Sequence, residues 1–245
     1  MKKSFKKKSF KNTALILLFL ILSVSVAILV YLHFFASDNL TGRWTARLDM
    51  TEQAAATAFS WLQDIEAVPV SLEETESYMQ DLTVQVSLTF EQTGLHQGTF
   101  QCTVLPESYE SCRQAAYKAF AAAFRESVSE RLRMAGYTGS TDEDAVEALV
   151  TESFGMSTVD YLMACAPALL PSLEELQARY DGTGAYETEK GVLTRRFDAG
   201  GTASKSECYI RKDSSLILSE EAESASVSLS PERYPIIYTL EQAQQ

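Results

Sequence analysis

From residue 40 onward the chain alternates apolar and polar positions with a period of two. In residues 40–50, Leu40, Gly42, Trp44, Ala46, Leu48 and Met50 share one face and Thr41, Arg43, Thr45, Arg47 and Asp49 the other, the pattern of a half-buried β-strand. The alternation returns in residues 82–91, where Leu82, Val84, Val86, Leu88 and Phe90 oppose Thr83, Gln85, Ser87, Thr89 and Glu91. After a Gln92-Thr93-Gly94 turn it continues through residues 96–104, with Gly98, Phe100, Cys102 and Val104 on the apolar side. One apolar and one wet face on each strand predicts an antiparallel sheet.

The period becomes helical in two places. Asp49-Met50-Thr51-Glu52 has capping-box character, and Ala55, Ala58, Phe59, Leu62 and Ile65 follow at helical spacing before Pro69. A larger helical insertion spans residues 106–180. Its first helix carries the stripe Cys112, Ala116, Phe120, Phe124, Val128 and Leu132 and ends at Gly136. A second opens at Thr141-Asp142 and closes near Gly155, and a third covers residues 157–166. After Pro167 and Pro171 a short last helix passes through Leu173 and Leu176. These stripes are amphipathic, so the block must dock on something.

Strand signals resume at residues 183–188, 191–197, 206–211, 215–219 and 234–240. Turns are expected at Glu189-Lys190-Gly191, Ala199-Gly200-Gly201 and Lys212-Asp213-Ser214. A weak ninth alternation lies in residues 225–229, within a Ser/Glu-rich stretch that reads as a loop. Three strands before the helices and five after them predict an α+β fold: an antiparallel barrel of about eight strands with a helical insertion.

Upstream of the sheet pattern, residues 13–36 contain no Asp, Glu, Lys or Arg over 24 positions, enough at ~1.5 Å per residue to cross a hydrocarbon core of ~30 Å. They predict one transmembrane helix. A cleaved signal peptide would have a shorter apolar core and small residues before the cut, whereas Phe34 and Phe35 crowd this exit. Tyr31, His33 and Phe34 are placed for interfacial anchoring. Residues 1–12 carry six lysines and no acid, which keeps that end cytoplasmic and places residues 37–245 outside. The net charge of −12 is therefore a basic tail joined to a body with 15 basic and 33 acidic residues, −18 in all. Such a body disfavours nucleic-acid binding. Only Ser37, Asp38 and Asn39 separate the apolar run from the first strand, so the folded domain must sit close to the bilayer.

Gly42-Arg43-Trp44 at the start of the first strand resembles the G-x-W signature of lipocalins and related calycins. In that family the tryptophan packs at the closed end of the barrel beneath a basic residue from just after the last strand; residues 238–242 supply no such cation here, and Arg233 precedes the last strand. The whole layout is similar to a group of membrane-anchored or secreted proteins of Gram-positive, clostridial type whose activity is uncharacterised. Its marks are Gly42 leading to Thr51, the 82–104 hairpin, the 106–180 insertion, a G-x-Y-x-x-x-x-G-x-L hairpin at residues 184–193 and the terminal Tyr234-Pro235. The resemblance implies a calycin-like barrel and no particular activity.

Chemistry is sparse. The chain has two histidines, His33 inside the apolar run and His96 beyond it, so neither a histidine metal cage nor a two-histidine zinc site can be built. No G-x-S-x-G occurs, and the acidic pairs Glu73-Glu74 and Glu174-Glu175 read first as solvated helix faces rather than glycosidase carboxylates. No catalytic residue, metal or cofactor is expected. Four cysteines, Cys102, Cys112, Cys165 and Cys208, lie beyond the apolar run, where disulfides persist. Cys102 with Cys208 and Cys112 with Cys165 is the economical pairing, each bridge worth ~2–4 kcal/mol; four buried thiols are the alternative.

The remaining candidate site is the barrel interior. Trp44, Leu48, Val84, Val86, Leu88, Phe90, Phe100 and Val104 would line it, with the helices as a lid. It is either filled by these side chains or open to a small apolar ligand. The expected function is an extracytoplasmic lipocalin-like binding module for an apolar small molecule or an envelope partner. The alternatives are a structural or interaction protein of the envelope with a solid core, and a carboxylate-based hydrolase.

Overall fold

The computed structural model describes residues 19–27, 39–64, 71–198, 204–220 and 234–241. Of the expected anchor, residues 19–27 are helical (α1); the rest of 13–36 and the basic tail 1–12 lie outside the described residues, as do the expected 199–201 turn and the weak alternation at 225–229. Among the described residues no helix is long and apolar enough to cross a membrane.

Eight strands close into one barrel in chain order: β1 (Gly42–Asp49), β2 (Thr83–Gln92), β3 (Gln97–Val104), β4 (Gly182–Glu189), β5 (Val192–Phe197), β6 (Ser204–Lys212), β7 (Ser215–Glu220) and β8 (Ile236–Leu240). Every neighbouring pair is antiparallel, and β8 returns to β1. All eight strands lie where the alternation predicts them. Closure removes the sheet edges that an open eight-stranded sheet would expose. At the β4–β5 turn Lys190 and Gly191 both have positive φ, +50° and +82°, the geometry of a tight hairpin turn whose twist matches the flanking strands.

The helices are α2 (Thr51–Asp64), α3 (Leu72–Tyr78), α4 (Pro106–Met134), α5 (Glu143–Phe154), α6 (Thr158–Cys165) and α7 (Leu173–Tyr180). α3 is not among the expected elements: its seven residues are too few to show a helical period, although Ser71 caps it by accepting from Glu74 N at 3.1 Å. Caps also start the later helices, through Asp142, Ser157 and the Ser172–Glu175 capping box.

Strand direction sorts the connections. All helices after α1 insert where β1 and β3 end and β2 and β4 begin, so they gather at one end of the barrel; α4 packs against β2 and α7 against β3. Short hairpins close the opposite end, where β1 also starts. The helical cap has its own aromatic contacts, Trp61 meeting Phe120 edge-on at 5.5 Å, yet its core of Ala54, Ala58, Leu62, Ala116 and Phe120 runs on into that of the barrel. The cap and the barrel thus fold around one core.

Candidate functional site

Seven of the eight expected interior residues, Trp44, Val84, Val86, Leu88, Phe90, Phe100 and Val104, point inward and are at most 3 % exposed. They are brought together as packing. Phe90 meets Tyr186 edge-on at 4.9 Å and Phe100 meets Phe197 at 5.2 Å, while Leu193, Leu216, Leu218 and Tyr238 fill the far wall. Leu48, the eighth, is half-buried and belongs to a cleft at the rim.

Trp44 is fully buried near the hairpin end. Its Nε1–H donates to the Leu40 carbonyl at 2.7 Å, the hydrogen bond a buried indole requires. A cation from the sixth strand lies over it: the Arg211 guanidinium is 5.8 Å from the Trp44 ring and also donates to the Asn39 carbonyl.

The interior is not uniformly apolar. Pairing of Leu193 with Glu207 and of Arg195 with Lys205 turns Lys205, Glu207, Tyr209 and Arg211 inward. Cys208 and Ile210, which share the other face of β6, lie outside. Arg195 donates to Glu207 Oε2 from Nε at 3.0 Å and from Nη2 at 2.5 Å, with the two side chains 7 % and 0 % exposed. Tyr234 donates to Glu207 Oε1 at 2.7 Å, and Lys205 Nζ lies 3.3 Å from the same oxygen. Burial alone would raise the Glu207 carboxyl pKa, but Arg195 and Lys205 outweigh it and hold the carboxyl below its usual range. Burial and the Glu207 charge push the Tyr234 phenol up. The Arg195 guanidinium lies against both the Phe100 and Phe197 rings, 5.6 and 5.8 Å from their centroids. Arg195 was legible in principle, since it shares a period-two face with Leu193 and Phe197.

A cleft of about 890 Å³ opens at the barrel seam. Among the described residues β1 and β8 pair through three positions, Trp44 with Leu240, Thr45 with Thr239 and Ala46 with Tyr238. Beyond them the pairing stops, and Arg47, Leu48 and Asp49 face Ile236 and Ile237 across the cleft. Glu241 N donates to the Arg43 carbonyl at 2.8 Å, so by ladder alternation the main-chain groups of Arg43, Thr45 and Arg47 are directed toward β8. Arg47 lies past the last pair. Met50, Arg179, Tyr180 and Tyr234 complete the walls at the helical end.

Beside the cleft the outer wall changes character. Across β6, β7 and β8 the register sets Ile210 opposite Ile217 and Ile217 opposite Ile237, all on the outer face; Ile210 is 63 % and Ile237 57 % exposed. The outer faces of β2 and β3 carry Ser87, Thr89, Gln101 and Thr103 instead.

The expected disulfides are not formed: all four cysteines are free. Cys102 faces the interior and Cys208 the outside, so the barrel wall separates their side chains. Cys112 is buried on α4, and Cys165 is exposed at the end of α6. Burial pushes the Cys102 and Cys112 thiols up to about 11. The acidic pairs lie in the first turns of two different helices: Glu73 and Glu74 open α3, Glu174 and Glu175 open α7, and Glu175 is engaged in its own capping box. His96 precedes β3 at the hairpin end, where its carbonyl accepts from Thr188 N at 2.7 Å.

No protein family, no curated protein and no solved structure matches the chain.

Proposed function

We propose that the protein is a membrane-anchored, extracytoplasmic binding module whose lipocalin-like barrel serves as a rigid scaffold, and that it engages an envelope protein at the β1/β8 seam. The observation that carries this reading is the seam. The β-ladder stops after three pairs, leaving a cleft of about 890 Å³ whose rim is continuous with exposed Ile237 and, across the strands, with Ile217 and Ile210. Contiguous exposed apolar surface next to a cleft is the ordinary mark of a protein-binding site. Supporting it from the other side, the expected ligand space is occupied by Trp44, Leu88, Phe90 and the Arg195–Glu207 pair. The anchor rests on residues 13–36 and their lysine flank. The reading uses no bond-making chemistry and no cofactor.

The test is site-specific photo-crosslinking of the full chain in its own membranes, with the crosslinker at Ile237 or, as a control on the polar wall, at Thr99. A discrete protein adduct from position 237 that is absent from 99 and lost on adding Ile210→Asp supports the site. Equal adducts from both positions, or adducts only to lipid-sized molecules, would reject a protein partner at the seam.

A further inference from the structure

We infer that the hairpin end of the barrel rests on the outer face of the bilayer, with Leu95 at the β2–β3 tip as its lipid contact. The helical cap then faces away from the membrane and the isoleucine row faces sideways along it. This rests on the anchor proposed above.

Three observations converge on that end. The chain enters the barrel there, and its entry is fixed rather than loosely tethered. Arg211 on β6 donates to the Asn39 carbonyl, and Thr41 N donates to Asn39 Oδ1 at 2.9 Å. Asn39 is only three positions past the apolar run, a span of at most ~10 Å at ~3.3–3.6 Å per residue. The barrel therefore has little freedom to tumble on its tether.

Second, the β2–β3 hairpin reaches past the entry point. Gly42 pairs with Phe90, while β2 continues to Gln92 before the turn. The tip lies about four residues further along the strand than the start of β1, or ~13 Å at ~3.3 Å per residue. That advance is comparable with the reach of the tether, which brings the tip to the height of the bilayer surface.

Third, this tip is chemically suited to the interface. Residues 92–97 contain no Asp, Glu, Lys or Arg, whereas the other two hairpin turns contain Lys190 and Asp213. Leu95 is 55 % exposed. The tip also meets several of its own main-chain hydrogen-bonding needs: Thr93 N and Gly94 N both donate to the Gln97 carbonyl at 3.0 Å, and the Gln92 side-chain amide donates to the Gly94 and Leu95 carbonyls at 2.8 and 3.1 Å. A turn whose backbone polar groups are internally bonded loses less on leaving bulk water than one that depends on solvent. The eight- to ten-residue strands β1 to β4, tilted in the barrel, raise the helical end ~20 Å above the hairpin end, so the two ends are distinguishable by depth.

The experiment places an environment-sensitive non-canonical fluorophore at Leu95, or at Glu152 on α5, in the full chain reconstituted into phosphatidylcholine–phosphatidylglycerol vesicles containing headgroup-labelled nitroxide lipid. The expected result is several-fold stronger quenching and a blue-shifted emission at position 95, with position 152 the same as in quencher-free vesicles. Protein that stays with the vesicles through alkaline carbonate but is quenched equally at both sites, or more at 152, overturns the orientation while leaving the anchor standing. Release of the chain by carbonate overturns the anchor and the orientation with it.

Discussion

Arg195 and Glu207 form a buried ion pair across β5 and β6, Nε to Oε2 at 3.0 Å, inside a barrel packed mainly with aliphatic and aromatic side chains. Two charges taken out of water are tolerated because each is satisfied several times over, Glu207 by Arg195, Lys205 and Tyr234, and Arg195 also by the Phe100 and Phe197 rings. Removing one partner strands the other, so Glu207→Gln is expected to cost ~3–5 kcal/mol, read as a fall in the urea midpoint at unchanged m-value. A loss below ~1 kcal/mol would mean that solvent reaches the pair.

The same pair sets a pH dependence. The Glu207 carboxyl is held below its usual range, so its contribution to stability is complete above the ordinary carboxylate pKa and is lost as pH falls through the depressed folded value. The stability gap between wild type and Glu207→Gln should be widest near neutrality and close on acidification. Denaturation midpoints of both proteins measured across that range check the sign; a gap that widened in acid would contradict the assignment.

Arg211 joins two jobs, lying over Trp44 and holding the Asn39 carbonyl. Arg211→Leu keeps much of the apolar stem but loses the cation, and is expected to cost ~1–2 kcal/mol and to shift the fluorescence of Trp44. Trp44→Ala should cost more, ~3–5 kcal/mol, since it empties a fully buried site. Thermal melts followed by tryptophan emission separate the two.

Gly98 and Gly184 allow close approach of neighbouring strands. A methyl group at Gly184 would lie 1.9 Å from the Arg196 carbonyl oxygen, and one at Gly98 would lie 2.1 Å from that of Glu91. Both obstacles are backbone, so neither can rotate away. Each alanine variant is expected to lose ~1–3 kcal/mol, whereas Gly139→Ala meets only the flexible Tyr137 ring and should be near neutral. Melting temperatures of the three variants make the comparison.

The thiols give a direct count. Cys165 is exposed, Cys208 half-buried, and Cys102 and Cys112 are buried with raised pKa. Native alkylation followed by mass spectrometry should modify Cys165 first, Cys208 more slowly and the other two only after unfolding. Reductant should leave the pattern unchanged. A mass two units low for each bridge before reduction would restore the disulfide reading.

The eight strands and the large helical insertion were legible because their periods are local. In β2 every second residue is apolar, and in α4 the stripe recurs every three or four residues, so neighbours alone report the element. α3 escaped because seven residues after Pro69 hold too few apolar positions to show a period. The interior was legible for the same reason in β1 to β3, where one face is plainly apolar and the opposite face polar.

Local pattern along the chain carries the strand count, the antiparallel hairpins, the inward face of Trp44 and the sharp division between a basic tail, an apolar run and an acidic body. Which face of β6 turns inward is instead set by pairing at long range. Judged locally, Cys208 and Ile210 are the better core residues. Barrel closure instead commits Leu193, Arg195 and Phe197 to the interior, and their partners across the ladder must follow them, which makes Glu207 a core residue and leaves Ile210 outside. The seam cleft is decided in the same way, by where the β1–β8 register ends. Both are properties of residues paired at long range, and a window along the chain contains only one member of each pair.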